Sequence, residues 1–321
     1  MRPYALLGFA TALGSTVAGA TLRGLYRRDM ARIVAEVEAG GEIVPTGFGP
    51  IQFGREGWGP SVLVVHGAGG GYDQGLLLGR ELVGPGYDVI APSRFGYLAT
   101  PVPPDPTPAA QAEAHAALLD ALGIVHAVTV VGVSAGAPSA IELALRHPER
   151  VSALILAVPR AFAPGMPEVG APAESAAMMK LVMAGADFAF WAASRFARRT
   201  VVRFLGVPPK IEAGAAPEDR QRVTRVIRGI LPLSRRLRGL QADSAAELKG
   251  WPLERIEAPT LVISASDDLY GTLPAARHTA GHIPDAELMV LPSGGHLMVG
   301  RGDEVRERIA TFLRQRRRTA A

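Results

Sequence analysis

The chain has 321 residues, 48% of them hydrophobic and 20% charged, which is enough apolar material for one large core or two smaller domains. It contains no cysteine, so disulfide bonds and thiolate metal sites are excluded and the fold must rest on packing. The net charge is +4 at pH 7, but only 6% of residues are aromatic and no basic run is interleaved with stacking aromatics. The composition therefore argues against a nucleic-acid partner.

The N-terminal segment, residues 3–22, carries no charge. Its length fits a bilayer span, although glycine and threonine dilute its apolar character. Ala18-Gly19-Ala20 also suits signal-peptide cleavage, and a helix packed on the protein or a partner is the third interpretation. The sequence thus leaves a membrane anchor, an exported protein and a soluble cytoplasmic protein open. If the segment is an anchor, the basic residues that follow it favour a cytoplasmic catalytic part: Arg23, Arg27 and Arg28.

After this segment, Tyr26 to Glu38 has a helical pattern, and Glu42 to Gly54 alternates and turns as a β-hairpin does. Short apolar runs then predict strands buried on both faces of a sheet: Ser61 to Val65, Asp88 to Ala91, Ala127 to Val131, Val151 to Val158, Thr260 to Ile263 and Ala286 to Leu291. Helical patterns lie between or after them: Gln111 to Leu122, Pro138 to Arg146 and Glu304 to Arg314. This alternation predicts an α/β fold with a doubly wound, mostly parallel sheet.

One long interval interrupts the alternation. From about Arg160 to Gly250 no strand pattern occurs, and helical windows cover 175–199 and 218–240. We expect a helical cap over the strand ends. The predicted organisation is an N-terminal apolar segment and helix (1–40), an α/β core in two pieces (41–160 and 251–321) and a helical cap (161–250).

The sharpest motif is Gly132-Val133-Ser134-Ala135-Gly136, which fits G-x-S-x-G directly after an apolar strand and before a helix. The chain must reverse within a few residues there, which predicts a strained Ser134 whose hydroxyl projects above the sheet. Ser134 is the predicted nucleophile.

A serine hydroxyl needs a base within hydrogen-bond reach, and that base needs an orienting acid. His296 follows the last strand in a Gly-Gly loop, which suits a base, and either Asp267 or Asp268 after the preceding strand suits the acid. The other histidines fit this role less well. We place three of them on or beside surface helices: His115, His126 and His147.

The glycine-rich loop from His66 to Gly71 follows the first buried strand. Its backbone N–H groups and that of Ala135 could surround a tetrahedral oxyanion, where preorganised donors matter most. A phosphate cradle is disfavoured, because the loop has neither the lysine of a P-loop nor a G-x-G-x-x-G continuation.

With these residues, the chain resembles the α/β-hydrolase fold superfamily over roughly residues 42–314. His66-Gly67 is similar to the family's HG oxyanion motif, which implies Ala68 and Ala135 as the donors. The segment 92–97 resembles the family's D-x-R-G-x-G loop, with Ser93 in place of aspartate, and 147–151 resembles its HPERV turn. The family's G-x-x-D pattern, with Ala265 in place of glycine, implies Asp268 rather than Asp267 as the acid.

The resemblance also narrows the reaction. Family epoxide hydrolases and haloalkane dehalogenases use aspartate at the elbow, so Ser134 argues against both. We expect hydrolysis of a carboxylic ester or similar acyl bond through an acyl-enzyme, with no metal or organic cofactor. Hydrolysis of a C–C bond or an enol-lactone by the same residues is the alternative. Two interpretations fall outside enzymes. One is a ligand-binding protein that has lost catalysis, and the other is a membrane-surface interaction protein.

The cap predicts the substrate only coarsely. Its methionine and aromatic residues indicate an apolar lining, and so an apolar acyl or alcohol group, although at helical spacing such residues also suit ordinary core. They are Met166, Met178, Met179, Met183, Phe188, Phe190 and Trp191. The oligomeric state is left open.

Overall fold

The computed structural model describes residues 3–165 and 172–319. The chain divides into two compact units, Met1–Ala39 and Gly40–Ala321. The first is one continuous helix, α1 (Pro3–Ala39), which joins the uncharged segment to the charged helical stretch after it. Within the described part of the chain, no helix combines the length and apolarity that a membrane crossing needs.

The second unit is built on one eight-stranded sheet. Its strands are β1 (Glu42–Thr46), β2 (Gly49–Gly57), β3 (Ser61–Val65), β4 (Asp88–Pro92), β5 (Val128–Val133), β6 (Val151–Ala157), β7 (Thr260–Ala265) and β8 (Glu287–Leu291). Their order is β1-β2-β4-β3-β5-β6-β7-β8. Strand β2 pairs antiparallel with β1 on one side and with β4 on the other, and every other neighbouring pair is parallel. The predicted fold class is confirmed.

The central strands are uniformly apolar because both faces of the sheet are covered. In β3, Leu63 and Val65 belong to the core cluster that includes α3 (Pro108–Ala121) and α4 (Ala137–Arg146). Val62 and Val64 belong to the opposite cluster, with α2 (Tyr72–Leu82) and α12 (Gly302–Thr319). Each fully buried aliphatic side chain contributes about 1.5–3 kcal/mol relative to leaving it exposed. Helix α11 (Thr272–His282) completes the first layer.

The segment between β6 and β7, here called the β6–β7 insertion (residues 158–259), has no strand among its described residues. Its helices are α5 (Ala176–Met183), α6 (Asp187–Phe196), α7 (Arg198–Phe204), α8 (Pro209–Ala213), α9 (Pro217–Gly229) and α10 (Leu237–Ala245). Helix α9 shows why they form here: proline occupies its first turn, two acidic residues follow, and Arg228 lies in its last turn, which complements the helix dipole. The boundaries of a cap domain stay a prediction.

Candidate active site

Ser134 lies at the bend between β5 and α4, with a φ of +51°. A non-glycine residue in this left-handed region is strained, and the surrounding packing must hold it there. The glycines on either side of the bend are required because neighbouring atoms leave no room for a Cβ. A Cβ at Gly136 would lie 2.4 Å from the Val65 carbonyl oxygen, and one at Gly132 would lie 2.7 Å from the Ala140 Cβ. The bend therefore keeps the Ser134 hydroxyl at the carboxyl end of the sheet.

His296 comes to Ser134 from the loop after β8. Its Nε2 lies 2.8 Å from the Ser134 Oγ, although 162 residues separate the two in sequence. Gly294 and Gly295 precede it with φ values of +131° and +61°, which only glycine adopts readily. His296 is 7% exposed, so its ring is largely shielded from water.

Asp268 accepts the other hydrogen bond of the His296 ring. The Asp268 Oδ2 lies 2.8 Å from the His296 Nδ1. This arrangement fits the tautomer with the proton on Nδ1, so that Nε2 can accept the serine proton. Burial opposes the charge on Asp268, but His296, the Thr272 hydroxyl and the Tyr270 amide outweigh it and lower the pKa of this carboxyl. The carboxylate is therefore ionised at neutral pH.

Asp267, the other acid that the sequence offered, points elsewhere. Its carboxylate accepts hydrogen bonds from the backbone N–H groups of Gly294 at 3.2 Å and Gly295 at 2.8 Å. It holds the loop that carries His296 and does not contact the imidazole. The geometry agrees with Asp268 as the partner of the histidine.

Three amides of the glycine-rich loop have protein acceptors. The Gly67 N–H donates to the Gln74 side chain, the Gly69 N–H to the Tyr97 hydroxyl and the Gly70 N–H to the Gly67 carbonyl. In the described part of the chain, the N–H groups of Ala68 and Ala135 have no such partner. Both residues line the same cavity as Ser134, so both amides are available to an oxyanion there.

The cavity beside Ser134 has a volume of about 370 Å³. Its walls come both from the sheet's loops and from the β6–β7 insertion, and they are mostly apolar. The apolar lining residues from the insertion are Met179, Met183, Leu205, Val226, Ile230 and Leu240, and those from the rest of the unit are Leu78, Tyr270, Leu297 and Met298. Three charged residues of the insertion also line the cavity: Arg160, Arg222 and Asp243. Such a site suits a mostly apolar group next to the serine.

The methionine and aromatic residues that the sequence suggests as an apolar lining of the cap differ in where they lie. Met179 and Met183 line the cavity. Three others are buried core residues: Met178, Phe190 and Trp191. Phe188 is 44% exposed at the surface, so the expectation of a lining role is wrong for it. Met166 lies outside the described residues.

Two histidines are buried away from Ser134. His115 is 1% exposed and lies 3.2 Å from the Ser139 hydroxyl, so its predicted surface position is wrong. The Ala-rich helix α3 that carries it has no clearly polar face, and it packs on α4. His66 is fully buried and its Nε2 accepts from the Arg94 N–H. Burial, and then the Arg94 charge, lowers the pKa of both imidazoles, to about 3 for His115.

Sequence reasoning missed several residues that hold the site. Thr272 and Tyr270 follow Asp268 closely, and hydroxyl residues just after a candidate acid are a signal that could have found them. Gly206, at the end of α7, had no signal: its carbonyl accepts from the His296 N–H and the Leu269 N–H, each at 3.0 Å. Among the residues that the structure places, no group of three or more histidine or acidic side chains could hold a metal ion.

The sheet order, the serine bend and the histidine in the last loop together define an α/β-hydrolase fold, and the comparisons agree. The sequence model described as alpha/beta hydrolase fold matches residues 60–302. The chain therefore belongs to the α/β-hydrolase fold family, and it is a hydrolase.

Individual relatives are similar to different extents. An alpha/beta hydrolase fold protein from Nakamurella multipartita is 32% identical, with a TM-score of 0.67 over 86% of this chain and 99% of that one. An esterase (EaEST) from Exiguobacterium antarcticum is 20% identical, with a TM-score of 0.63 over 86% and 99%. At that identity the esterase shows the fold alone.

A curated relative from Bacillus subtilis (strain 168), "Uncharacterized hydrolase YcgS", is 35% identical over 108 residues. That match covers 34% of this chain and 37% of the relative, so it spans little more than a third of the relative's length.

Proposed function

We propose that the chain hydrolyses carboxylic esters with an apolar acyl group through a Ser134 acyl-enzyme. The observation that carries the proposal is the hydrogen-bonded series from Asp268 through His296 to Ser134, with both hydrogen bonds at 2.8 Å and a mostly apolar cavity of about 370 Å³ beside the hydroxyl. This arrangement supports nucleophilic catalysis by serine.

In the first half-reaction, the Ser134 Oγ attacks the ester carbonyl carbon while its proton moves to the His296 Nε2. The Asp268 carboxylate stabilises the imidazolium that forms, and the amides of Ala68 and Ala135 receive the negative carbonyl oxygen. As the tetrahedral intermediate collapses, the C–O bond to the alcohol breaks and His296 gives its proton to the leaving oxygen. The acyl group is then bound to Ser134.

In the second half-reaction, water attacks the acyl-enzyme and gives a proton to His296. The carboxylic acid leaves, and Ser134 recovers its proton from the imidazolium. Apart from the attacking water, the groups that act on the substrate in these steps come from the chain. We infer that the β6–β7 insertion acts as a cap, since its side chains form one side of the cavity in which these steps take place.

The decisive experiment compares Ser134→Ala with the wild type on p-nitrophenyl acetate and p-nitrophenyl butyrate and by labelling with a fluorophosphonate probe. We expect the variant to lose at least about 10³-fold in kcat and all labelling, because removal of the nucleophile leaves only binding and the oxyanion donors. Ser194→Ala is the control, since its hydroxyl bonds only to the Trp191 carbonyl on α6 in the described structure.

The other outcomes separate the rival functions. A wild type that neither labels nor turns over any substrate would indicate a ligand-binding protein. A wild type that labels but prefers an enol-lactone or a ring-cleavage dienoate to simple esters would replace the ester assignment while keeping the same serine. Retention of activity by Ser134→Ala would refute the proposed chemistry.

A further inference from the structure

The β6–β7 insertion lines the cavity and also contacts the glycine-rich loop. Arg236, just before α10, is fully buried. Its Nη1 donates to the Gly70 carbonyl at 2.6 Å, and its Nη1 and Nη2 donate to the two carboxylate oxygens of Asp73 at 3.1 and 2.7 Å. A guanidinium from the insertion therefore binds the end of the loop and the first turn of α2 together.

Asp243, on α10, is connected to the same loop through the side chains of Arg94 and Tyr97. It forms a bidentate ion pair with Arg94 at 2.6 and 2.7 Å and accepts a hydrogen bond from the Tyr97 hydroxyl at 2.5 Å. Arg94 and Tyr97 in turn form hydrogen bonds with the backbone of the glycine-rich loop. The Arg94 Nε donates to the His66 carbonyl at 2.9 Å, and the Tyr97 hydroxyl accepts from the Gly69 N–H at 3.4 Å.

These contacts hold backbone groups that precede and follow Ala68 in the loop. The His66 and Gly70 carbonyls and the Gly69 amide are tied directly or through one side chain to α10 and the residue before it. The Ala68 amide, which has no protein acceptor in the described part of the chain, is the one left facing the cavity. The Gly67 carbonyl, in the same peptide group as the Ala68 N–H, lies 2.7 Å from the His66 Nδ1 and accepts from the Gly70 N–H at 3.3 Å. Because the contacts of the insertion hold the carbonyls of both His66 and Gly70, the insertion contributes to the direction of the Ala68 N–H.

A third contact connects α10 to the nucleophile. Arg160 donates through Nη1 to the Asp243 carbonyl at 2.7 Å, and its own backbone N–H donates to the Ser134 carbonyl at 3.0 Å. The helix that holds the loop is thus also joined to the bend that carries the serine.

We propose that Arg236 and Asp243 are positioning residues that aim the Ala68 N–H at the developing oxyanion, so that the insertion takes part in catalysis as well as in substrate binding. This inference rests on the proposed function. Burial of charged groups is a weak source of stability, whereas buried ions held by several hydrogen bonds favour one geometry. Here the geometry that they specify is that of the loop beside Ser134.

The test uses Arg236→Met and Tyr97→Phe in the full-length protein. Neither residue lines the cavity, and Tyr97→Phe keeps the aromatic ring while removing the hydroxyl between Gly69 and Asp243. We expect kcat for p-nitrophenyl acetate to fall about 10- to 100-fold, less than for complete loss of an oxyanion donor, with KM changed less than about threefold. Arg236→Lys should recover part of kcat because it keeps a donor near Gly70.

Two readouts separate positioning from a general structural role. The inhibition constant of an alkyl trifluoromethyl ketone, whose adduct places an oxyanion at the same amides, should rise by the factor by which kcat/KM falls. Hydrogen exchange in a peptide covering 66–71 should increase in both variants. Glu212→Gln is the matched control: it removes a buried charge that pairs with Arg198 within the insertion and is not among the loop's partners, so it should leave both readouts near wild type.

The inference is overturned if Arg236→Met and Tyr97→Phe keep kcat within about twofold of the wild type, or if Glu212→Gln loses as much as they do. If Arg236→Met does not fold, Tyr97→Phe and Arg236→Lys carry the test. A wild type that neither turns over esters nor labels would end the proposed function instead. Exchange in 66–71 would still decide whether the insertion holds the loop.

Discussion

At the scale of single residues, two neighbouring carboxylates have different tasks because the backbone points them in different directions. Asp268 accepts from the His296 Nδ1, whereas Asp267 accepts from the amides of Gly294 and Gly295. In the proposed reaction, the first orients the imidazole and balances its charge. The second holds the loop on which the imidazole is carried.

The difference predicts unequal losses on amide substitution. In Asp268→Asn the side chain can no longer stabilise the imidazolium or enforce the tautomer, so we expect kcat to fall by about 10⁴. Asp267→Asn keeps an oxygen that can accept from the loop amides, so a loss of about tenfold or less is expected, together with a lower Tm. Steady-state kinetics on p-nitrophenyl acetate and thermal unfolding measure both; equal kinetic losses would contradict the assignment.

At the scale of elements, the residue Gly206 after α7 connects the loop that follows β7 to the loop that follows β8. The Gly206 carbonyl accepts from the backbone N–H of Leu269, after β7, and from that of His296, after β8. Gly206 itself has a φ of +75°, and a Cβ there would lie 2.6 Å from the His296 Cβ. The position of the base relative to the serine therefore depends on a close approach that only glycine allows.

Gly206→Ala should accordingly displace His296. We expect kcat to fall roughly 10- to 100-fold, since a shift of about 1 Å in a reacting group can cost about 10²-fold. Gly229→Ala is the control because a Cβ at that helical glycine meets nothing within 4 Å. The same ester kinetics decide the matter, and a Gly206→Ala enzyme as active as Gly229→Ala would show that the close approach is unimportant.

The cavity walls supplied by the insertion should set the acyl length. Met183 on α5 lines the cavity, and Met183→Trp would fill part of its 370 Å³. We expect kcat/KM for p-nitrophenyl octanoate to fall at least about tenfold relative to that for the acetate, because a pocket discriminates even single methylenes. Met178→Leu is a matched control, since Met178 is buried outside the cavity lining. An unchanged ratio in Met183→Trp would place the acyl chain elsewhere.

At the scale of the whole molecule, the sequence predicts the sheet well and the insertion poorly. Each of the six predicted buried strands is present with its ends shifted by at most two residues, because a strand covered on both faces reads as a short apolar run. The expected burial on both faces is wrong for the edge strand β8, where Leu288 and Val290 are exposed. The serine bend is also local in sequence, and its strand–turn–helix context was visible there.

The contacts of Gly206, Arg236 and Asp243 are long-range, and no local pattern encodes which loop a helix of the insertion will meet. His115 shows the same limit in the core. Helix α3 is alanine-rich on all sides, so its sequence did not reveal which face would be covered. Its burial depends on α4, which lies outside the window that a periodicity argument can use.

The burial of His66 and His115 makes the stability of the whole fold sensitive to acid. Burial, and then the positive charge of Arg94, lowers the pKa of both imidazoles below the usual 6.5, to about 3 for His115. In the unfolded chain both regain a pKa of about 6.5, so below that pH the unfolded state binds protons that the folded state refuses. The free energy of unfolding must then fall as the pH falls.

With its pKa lowered to about 3, His115 should cost about 2 kcal/mol of stability between pH 7 and pH 5, and His66 should add to the loss in the same direction. Urea unfolding at pH 7, 6 and 5 measures the slope. His115→Gln removes one of the two groups while keeping a partner for Ser139, so its slope should be shallower by close to one proton. The exposed His126→Gln serves as the control and should follow the wild type. A His115→Gln slope equal to that of the wild type would mean that His115 takes up its proton without unfolding.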